Sequence, residues 1–255
     1  PEGVDAVVST FSERMNGRCR VLHSTENRGR AAATNEAFRA ATGTYLAFLD
    51  DDDTWAPQFL KVCIEHLEAP STPASVGAVS THVSNVFERI EDGVVVRDRI
   101  EPRPLDARSA SIATMAAGNR LPIHGLVFRL DDLRQVALGP GMLQSEHLPV
   151  FEDWELLLRI LAKFDIDITP ETLAFYHHRP TEEGGPLANV VFQPVMRAQD
   201  ARFRNSMVRS ELERGSVGPG ILGSITSIQD SVQLLAPPIY EVRHRVEDIR
   251  THVDI

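Results

Sequence analysis

The fold class of this chain is decided by the stretch Thr44-Tyr45-Leu46-Ala47-Phe48-Leu49-Asp50-Asp51-Asp52-Asp53. Its first six residues form a near-continuous apolar run of strand length, which predicts a parallel strand buried on both faces. The run stops at four consecutive aspartates, after which Thr54 and Pro57 open an apolar-striped helix. This order of strand, acidic loop and helix indicates α/β layering. It places the aspartates at the end of the strand where open parallel sheets bind ligands.

The acid loop, residues 50–53, has several possible chemical roles. Four adjacent carboxylates repel one another, so they favour a bound cation, and oxygen ligands suit Mg²⁺ or Mn²⁺. A solvated turn that caps the next helix is the structural alternative. An EF-hand is excluded because its sixth loop position, Trp55, is not glycine. A phosphatase of the haloacid-dehalogenase type stays open, because Asp50, Asp52 and Thr54 match its strand-end signature.

The remaining elements follow from periodicity and turn residues. Glu91-Asp92-Gly93 predicts a hairpin turn, and a Gly-rich break after residue 182 marks a boundary near 181. We predict helices over 4–15, 30–41, 109–117, 131–136, 152–164, 188–214 and 221–252, and strands over 18–23, 44–49, 76–86 and 123–128.

Composition bounds the class of protein. The 255 residues carry a net charge of −10, which argues against a nucleic-acid partner. Two cysteines exclude a disulfide scaffold. No run of 18 apolar residues predicts a membrane span. We therefore expect a cytoplasmic protein, with peripheral membrane contact left open.

A group of residues upstream of the acid loop distinguishes the phosphatase from other metal-binding proteins. It is made of Asn27, Gly29 and Asn35, followed by Ala41 and Gly43. In this order, and together with the strand and the acid loop, these residues resemble glycosyltransferase family 2, whose fold is GT-A. A phosphatase has no use for such a block.

The resemblance also covers a second acidic site, Glu152-Asp153 before Trp154. By itself this pair reads equally well as ordinary acids at a helix N-terminus. In the family an acidic pair stands here, so the resemblance implies that Asp153 is the general base, with Glu152 beside it. A helix N-terminus lowers the basicity of a carboxylate, so burial or nearby acids would have to raise it again.

The resemblance implies the other site residues and the reaction. Asp50 and Asp52 would hold Mn²⁺ or Mg²⁺, and His178 would help to hold the metal or a phosphate, although a surface His pair is the alternative. Asn27, Arg30, Asn35, Asp50 and Asp51 would border a nucleoside-diphosphate sugar. The implied reaction moves the sugar to an acceptor hydroxyl with inversion, in polysaccharide or glycoconjugate synthesis. A non-catalytic nucleotide- or sugar-binding module is the remaining alternative.

The expected architecture is a mixed, mostly parallel GT-A sheet flanked by helices over residues 1–180. A helical extension over 181–255 would serve assembly, including homo-oligomer formation, or acceptor binding. Two features depart from the family. Thr34 stands where many members have arginine, for which Arg30 is the proposed substitute. The N-terminal strands of the fold are missing from the sequence, which predicts further residues upstream.

Overall fold

The computed structural model describes residues 2–103, 108–179 and 193–228. It contains a sheet with helices on both sides. The helices are α1 (Glu2–Met15), α2 (Arg30–Ala40), α3 (Phe59–Glu68), α4 (Ile112–Ala117), α5 (Leu130–Val136), α6 (Glu152–Leu161) and α7 (Gln193–Arg214). The strands are β1 (Tyr45–Ala47), β2 (Thr54–Trp55), β3 (Val76–Glu91), β4 (Val94–Arg103), β5 (Leu126–Arg129) and β6 (Asp165–His178). A 3₁₀ turn, Ile123–Gly125, precedes β5.

The strands form one mixed sheet in the order β1-β5-β3-β6-β2, with β4 also paired to β3. The predicted α/β architecture is confirmed. The sheet is not mostly parallel, however, because β3–β6 is the parallel pair among the described strands and the others run antiparallel. The predicted hairpin is present: Asp92 and Gly93 have positive φ angles and join β3 to β4, as a two-residue turn requires.

Two apolar layers cover the two faces of the sheet. Successive residues of a strand point to opposite faces, and Ala78 and Val79 of β3 accordingly belong to different core clusters. Helix α3 covers one face through Phe59, Cys63 and Leu67. Helices α4, α5 and α6 pack on the other face, where Trp154 is among the largest buried side chains.

The strand that leads to the acid loop differs from its prediction. Strand β1 pairs antiparallel with β5 and lies at the end of the strand order. Its side chains do contact both cores, with Leu46 on one face and Ala47 on the other, but they are only half-buried. Pattern alone indicated coverage of both faces; the position in the sheet depends on pairing with residues some eighty positions away.

Two local predictions near the N-terminal side fail. Residues 18–23 form no strand and most of them are exposed, since no described strand lies beside them to complete a ladder. Thr54, predicted to open a helix, forms β2 against Phe175 of β6, and α3 begins only at Phe59.

The C-terminal helices continue the core. Phe203 of α7 is buried in the larger cluster, and a further helical segment covers 219–228. The Glu211 carboxylate accepts hydrogen bonds from the backbone N–H groups of Gly220 and Ile221, which caps that segment. Residues 188–192 and 229–252 of the predicted helices lie outside the described residues. Within the described ranges, no helix combines the length and apolarity needed to cross a bilayer.

Candidate active site

A cleft of about 320 Å³ opens where the acid loop, α2, the 3₁₀ turn, β6 and the start of α6 meet. Asp50 lines it together with Glu152 and Asp153, so the two acidic sites predicted from the sequence share one cavity. About one hundred residues separate them in the chain, and the fold brings them together. This juxtaposition supplies a place where a bound phosphate and a proton acceptor would be neighbours.

The acid loop gathers three of its four carboxylates. One oxygen from each of Asp50, Asp52 and Asp53 lies within 4.8 Å of the others. Burial, and then repulsion from Asp53 and Asp52, raises the pKa of Asp50. Asp51 is exposed and stands outside this group. Such a set of hard oxygen donors suits Mg²⁺ or Mn²⁺.

Asp53 fixes the loop to the sheet. It is 5% exposed, and its Oδ1 accepts a hydrogen bond of 3.0 Å from the backbone N–H of His177. Its Oδ2 lies 3.0 Å from Nδ1 of His124, which is also buried. Because Asp53 is engaged with the protein and Asp52 lies 3.9 Å from the Arg179 guanidinium, Asp50 is the acid-loop carboxylate that lines the cleft.

The start of α6 holds the second acidic pair in a strained turn. Phe151, the residue before the helix, has φ 70°, which a bulky side chain rarely adopts. Glu152 follows at 5% exposure; its Oε1 lies 3.0 Å from the Arg30 guanidinium and its Oε2 has no hydrogen-bond partner among the described residues. Burial raises the pKa of Glu152, and Asp153 and Asp50 raise it further.

Asp153 is oriented from two directions. Its Oδ1 accepts a hydrogen bond of 2.7 Å from the Trp154 backbone N–H, and its Oδ2 accepts one of 3.2 Å from the Asn119 amide. Burial raises the pKa of Asp153 and outweighs these two hydrogen bonds and the charge of Arg30, which lower it. Burial therefore outweighs the effect of the helix N-terminus, and the Asp153 carboxylate is more basic than a free one.

Helix α2 supplies another wall of the cleft. Arg30 and Thr34 both line it, as residues one helical turn apart on the same face do. Asn35, the next residue, points elsewhere. It is fully buried, and its amide donates to the Gln144 carbonyl and to Glu146 and accepts from the N–H groups of Leu143 and Gln144. All four hydrogen-bonding positions of the amide are occupied. Asn35 does not line the cleft, and its amide holds α2 against the 142–146 loop. Its place beside the donor stays a prediction.

Two other predicted residues lie apart from the cleft lining. Asn27 accepts a hydrogen bond from the Gly29 N–H and lines a separate pocket of about 280 Å³ before α2. His178 stacks on Phe87, and its Nε2 lies 3.1 Å from Asn85 Oδ1. Burial lowers the pKa of His178. The described carboxylate cluster does not include it, so its role at a metal stays a prediction.

Several polar cleft residues lie outside the sites predicted from the sequence, among them Arg103, Asn119, His124 and Tyr176. No periodic or spaced signal connects His124 to the acid loop or Asn119 to Asp153. Tyr176, next to the His pair, carried the strongest signal, as an aromatic residue on the strand that follows the acidic-pair helix. Burial, and then the surrounding Asp53, Asp52, Asp153 and Asp50, raises the pKa of Tyr176, which places its ring among both acidic groups.

Comparison with known proteins agrees with this geometry. Residues 1–120 match the family model described as Glycosyl transferase family 2. Over 55 residues the chain is 40% identical to the Putative teichuronic acid biosynthesis glycosyltransferase TuaG of Bacillus subtilis (strain 168), a match that covers 22% of each protein. Over 57 residues it is 37% identical to the Putative colanic acid biosynthesis glycosyl transferase WcaA of Escherichia coli (strain K12), covering 22% of this chain and 20% of the relative. The chain thus spans about a fifth of the length of these curated relatives. The family resemblance drawn from the sequence is confirmed over residues 1–120, which contain the acid loop and the block upstream of it.

Proposed function

We propose that this chain, whose first 120 residues match glycosyl transferase family 2, is the nucleotide-sugar-binding and catalytic part of a metal-dependent, inverting glycosyltransferase. It would move a sugar from a nucleoside diphosphate to an acceptor hydroxyl. The observation that carries the proposal is the shared cleft, in which Asp50 of the acid loop faces the same cavity as Glu152 and Asp153. The two relatives are glycosyltransferases named for teichuronic acid and colanic acid biosynthesis, which supports polysaccharide or glycoconjugate synthesis as the process.

The residues of the acid loop fit a divalent cation. Asp50 and Asp52 would hold it, since one oxygen from each belongs to the same carboxylate cluster. Asp52 also lies 3.9 Å from the Arg179 guanidinium, so the cation and this arginine would share its charge. A bound Mn²⁺ or Mg²⁺ supplies positive charge against the diphosphate and stabilises the negative charge of the leaving group. Arg30, which is exposed at the cleft and electrostatically coupled to Asp50, adds a second positive group on the donor side.

Asp153 is the proposed general base. The acceptor oxygen forms a bond to the anomeric carbon while the bond from that carbon to the diphosphate oxygen breaks, and the hydroxyl proton passes to Asp153. Attack from the face opposite the leaving group inverts the configuration. The raised pKa of Asp153 suits proton uptake near neutral pH, and Asn119 and the Trp154 N–H keep the carboxylate aimed into the cleft.

The test is sugar transfer by the full-length protein with Mn²⁺ and a panel of nucleoside-diphosphate sugars. Transfer that depends on the cation and is lost in Asp153→Asn, while nucleotide binding persists, supports the proposal. Binding of a nucleotide sugar with no turnover on any acceptor would instead favour the non-catalytic module. An aspartyl-phosphate trapped on Asp50 would favour the phosphatase. Two observations speak against it: β1 is an antiparallel strand at the end of the sheet order, and Asp131-Asp132, the candidate for the second acidic pair that such a phosphatase needs, does not line the cleft.

The division of the chain at residue 180 remains a proposal as well. Phe203 packs on Trp154 at 5.1 Å between ring centroids, and the Arg204 guanidinium lies over the same indole. Helix α7 therefore supports the segment that carries Asp153. We propose that the C-terminal region stabilises the catalytic part, in addition to any part in assembly.

A further inference from the structure

One wall of the cleft contains two polar groups that have no partner among the described residues. The first is Arg103, at the end of β4, which is half-buried and lines the cleft. Within residues 2–103, 108–179 and 193–228, no carboxylate forms an ion pair with it. A partly desolvated guanidinium without an anion is unfavourable. Burial lowers the pKa of Arg103, and repulsion from the nearby Arg120 lowers it further.

The Nε2 atom of His124 is the second of these groups. His124 is 2% exposed, and its buried Nε2 has no hydrogen-bond partner within the described ranges although the residue lines the cleft. Its Nδ1 lies 3.0 Å from the Asp53 carboxylate. Nε2 therefore has a hydrogen-bonding capacity that no described residue uses, and a ligand hydroxyl can meet it as donor or as acceptor.

Tyr176 connects the two groups. Its ring lies 5.4 Å from the His124 ring, and it interacts electrostatically with Arg103. Arg103, His124 and Tyr176 thus form a subsite with a positive group, a ring nitrogen that can hydrogen-bond a hydroxyl, and an aromatic face. The arginine coupled to Asp50 is Arg30, so the diphosphate side of the cleft already has its own positive charge.

We propose that Arg103, His124 and Tyr176 form a subsite for an anionic acceptor saccharide. Its carboxylate or phosphate pairs with the Arg103 guanidinium, and one of its hydroxyls forms a hydrogen bond with His124 Nε2. That the ligand is the acceptor of the reaction rests on the proposed function. That it is anionic and carries a hydroxyl rests on the Arg103 guanidinium and on Nε2 of His124.

The test compares the binding of methyl β-D-glucuronide and methyl β-D-glucoside to the full-length protein by ligand-observed NMR titration. Wild-type protein should bind the glucuronide at least 10-fold more tightly, since a hydrogen-bonded charge pair contributes about 10–100-fold in affinity. Arg103→Gln should abolish this preference, and Arg103→Lys should retain part of it. Arg97→Gln, an exposed arginine of the same strand outside the cleft lining, is the matched control and should leave the preference unchanged.

A second set of measurements distinguishes an acceptor subsite from a role of Arg103 in nucleotide binding. His124→Phe should weaken both glycosides by about 2–10-fold, as the loss of a neutral hydrogen bond does, without removing the preference for the anion. Equal or undetectable binding of the two glycosides to wild type would overturn the proposal. So would a loss of affinity in Arg103→Gln that falls on UDP with Mn²⁺ rather than on the glucuronide. If no nucleotide sugar supports turnover and the preference still depends on Arg103, the subsite stands and the transferase assignment fails.

Discussion

Two groups of carboxylates meet at the cleft, and the protein treats them differently. The acid loop leaves Asp50 exposed and Asp52 half-buried, with their oxygens close together. The start of α6 instead half-buries Asp153 and holds it with hydrogen bonds from Asn119 and the Trp154 N–H. The first environment suits cation binding and the second suits proton transfer. The comparison shows how surroundings assign separate roles to chemically similar side chains.

The largest effect should follow from Asp153→Asn. Removal of the proton acceptor should lower kcat by about 10²–10⁴-fold, the usual contribution of a positioned base, with little change in the affinity for nucleotide and Mn²⁺. Initial rates of transfer and a nucleotide titration measure the two quantities. If the variant retains most of its kcat, Asp153 is not the general base, and the two groups of carboxylates do not have the separate roles assigned to them.

The acid loop should respond through the cation. Asp50→Asn and Asp52→Asn should lower transfer by about 10²-fold, because the stabilisation that a metal gives to a leaving group amounts to several kcal/mol. Excess Mn²⁺ should restore part of the rate in Asp50→Asn and Asp52→Asn, but it should not restore the rate in Asp153→Asn. Asp51→Asn is the matched control, since Asp51 lies outside the cluster. A loss in this control equal to that in Asp50→Asn would contradict the assignment.

The pH dependence of transfer should report on the ionisation of Asp153. Since Asp153 must be ionised to accept a proton and its pKa is raised, activity should fall as the pH drops through that raised pKa. The same shift implies a stability cost: the native state holds the proton more tightly than the unfolded state, so the folded protein loses stability as the pH rises above the unfolded pKa of about 4.

Asp153→Asn should therefore raise the midpoint of thermal unfolding at neutral pH, with a gain that shrinks towards pH 4. Thermal unfolding at a series of pH values measures the change. Asp51→Asn, a substitution of an exposed acid, should show no comparable gain. A gain for Asp153→Asn that is the same at pH 4 and pH 7 would show that burial of this carboxylate is not its cause.

The smallest effect should come from Arg30, whose guanidinium pairs with Glu152 at the start of α6. Arg30 lies 3.0 Å from Glu152 and is two-thirds exposed on its side chain. Arg30→Gln should therefore raise the KM for the nucleotide sugar by only about 2–5-fold, as exposed ion pairs contribute little. Arg28→Gln, which removes another exposed arginine near the start of α2, serves as the control. An unchanged KM in Arg30→Gln would remove Arg30 from the donor side.

Much of the site followed from the sequence because its signals are local. An apolar run that ends in acids, an amphipathic helix that begins with Glu152-Asp153, and the block around Asn27 and Gly29 can be read from neighbouring residues. Asn35 shows the limit of this reading. Its place in the pattern was recognised, but only the structure shows that its amide is saturated by residues more than one hundred positions away.

The sequence by itself determined which residues carry charge, where most helices begin, and that an acid loop ends an apolar strand. Tertiary structure alone decided that β1 lies antiparallel at the end of the strand order and that residues 18–23 form no strand. It also decided that Asp153 becomes more basic. The physical reason is that periodicity belongs to a short stretch of chain, whereas strand pairing, burial and pKa depend on distant groups. Asn119 reaches Asp153 across 34 residues, and His177 anchors Asp53 across 124.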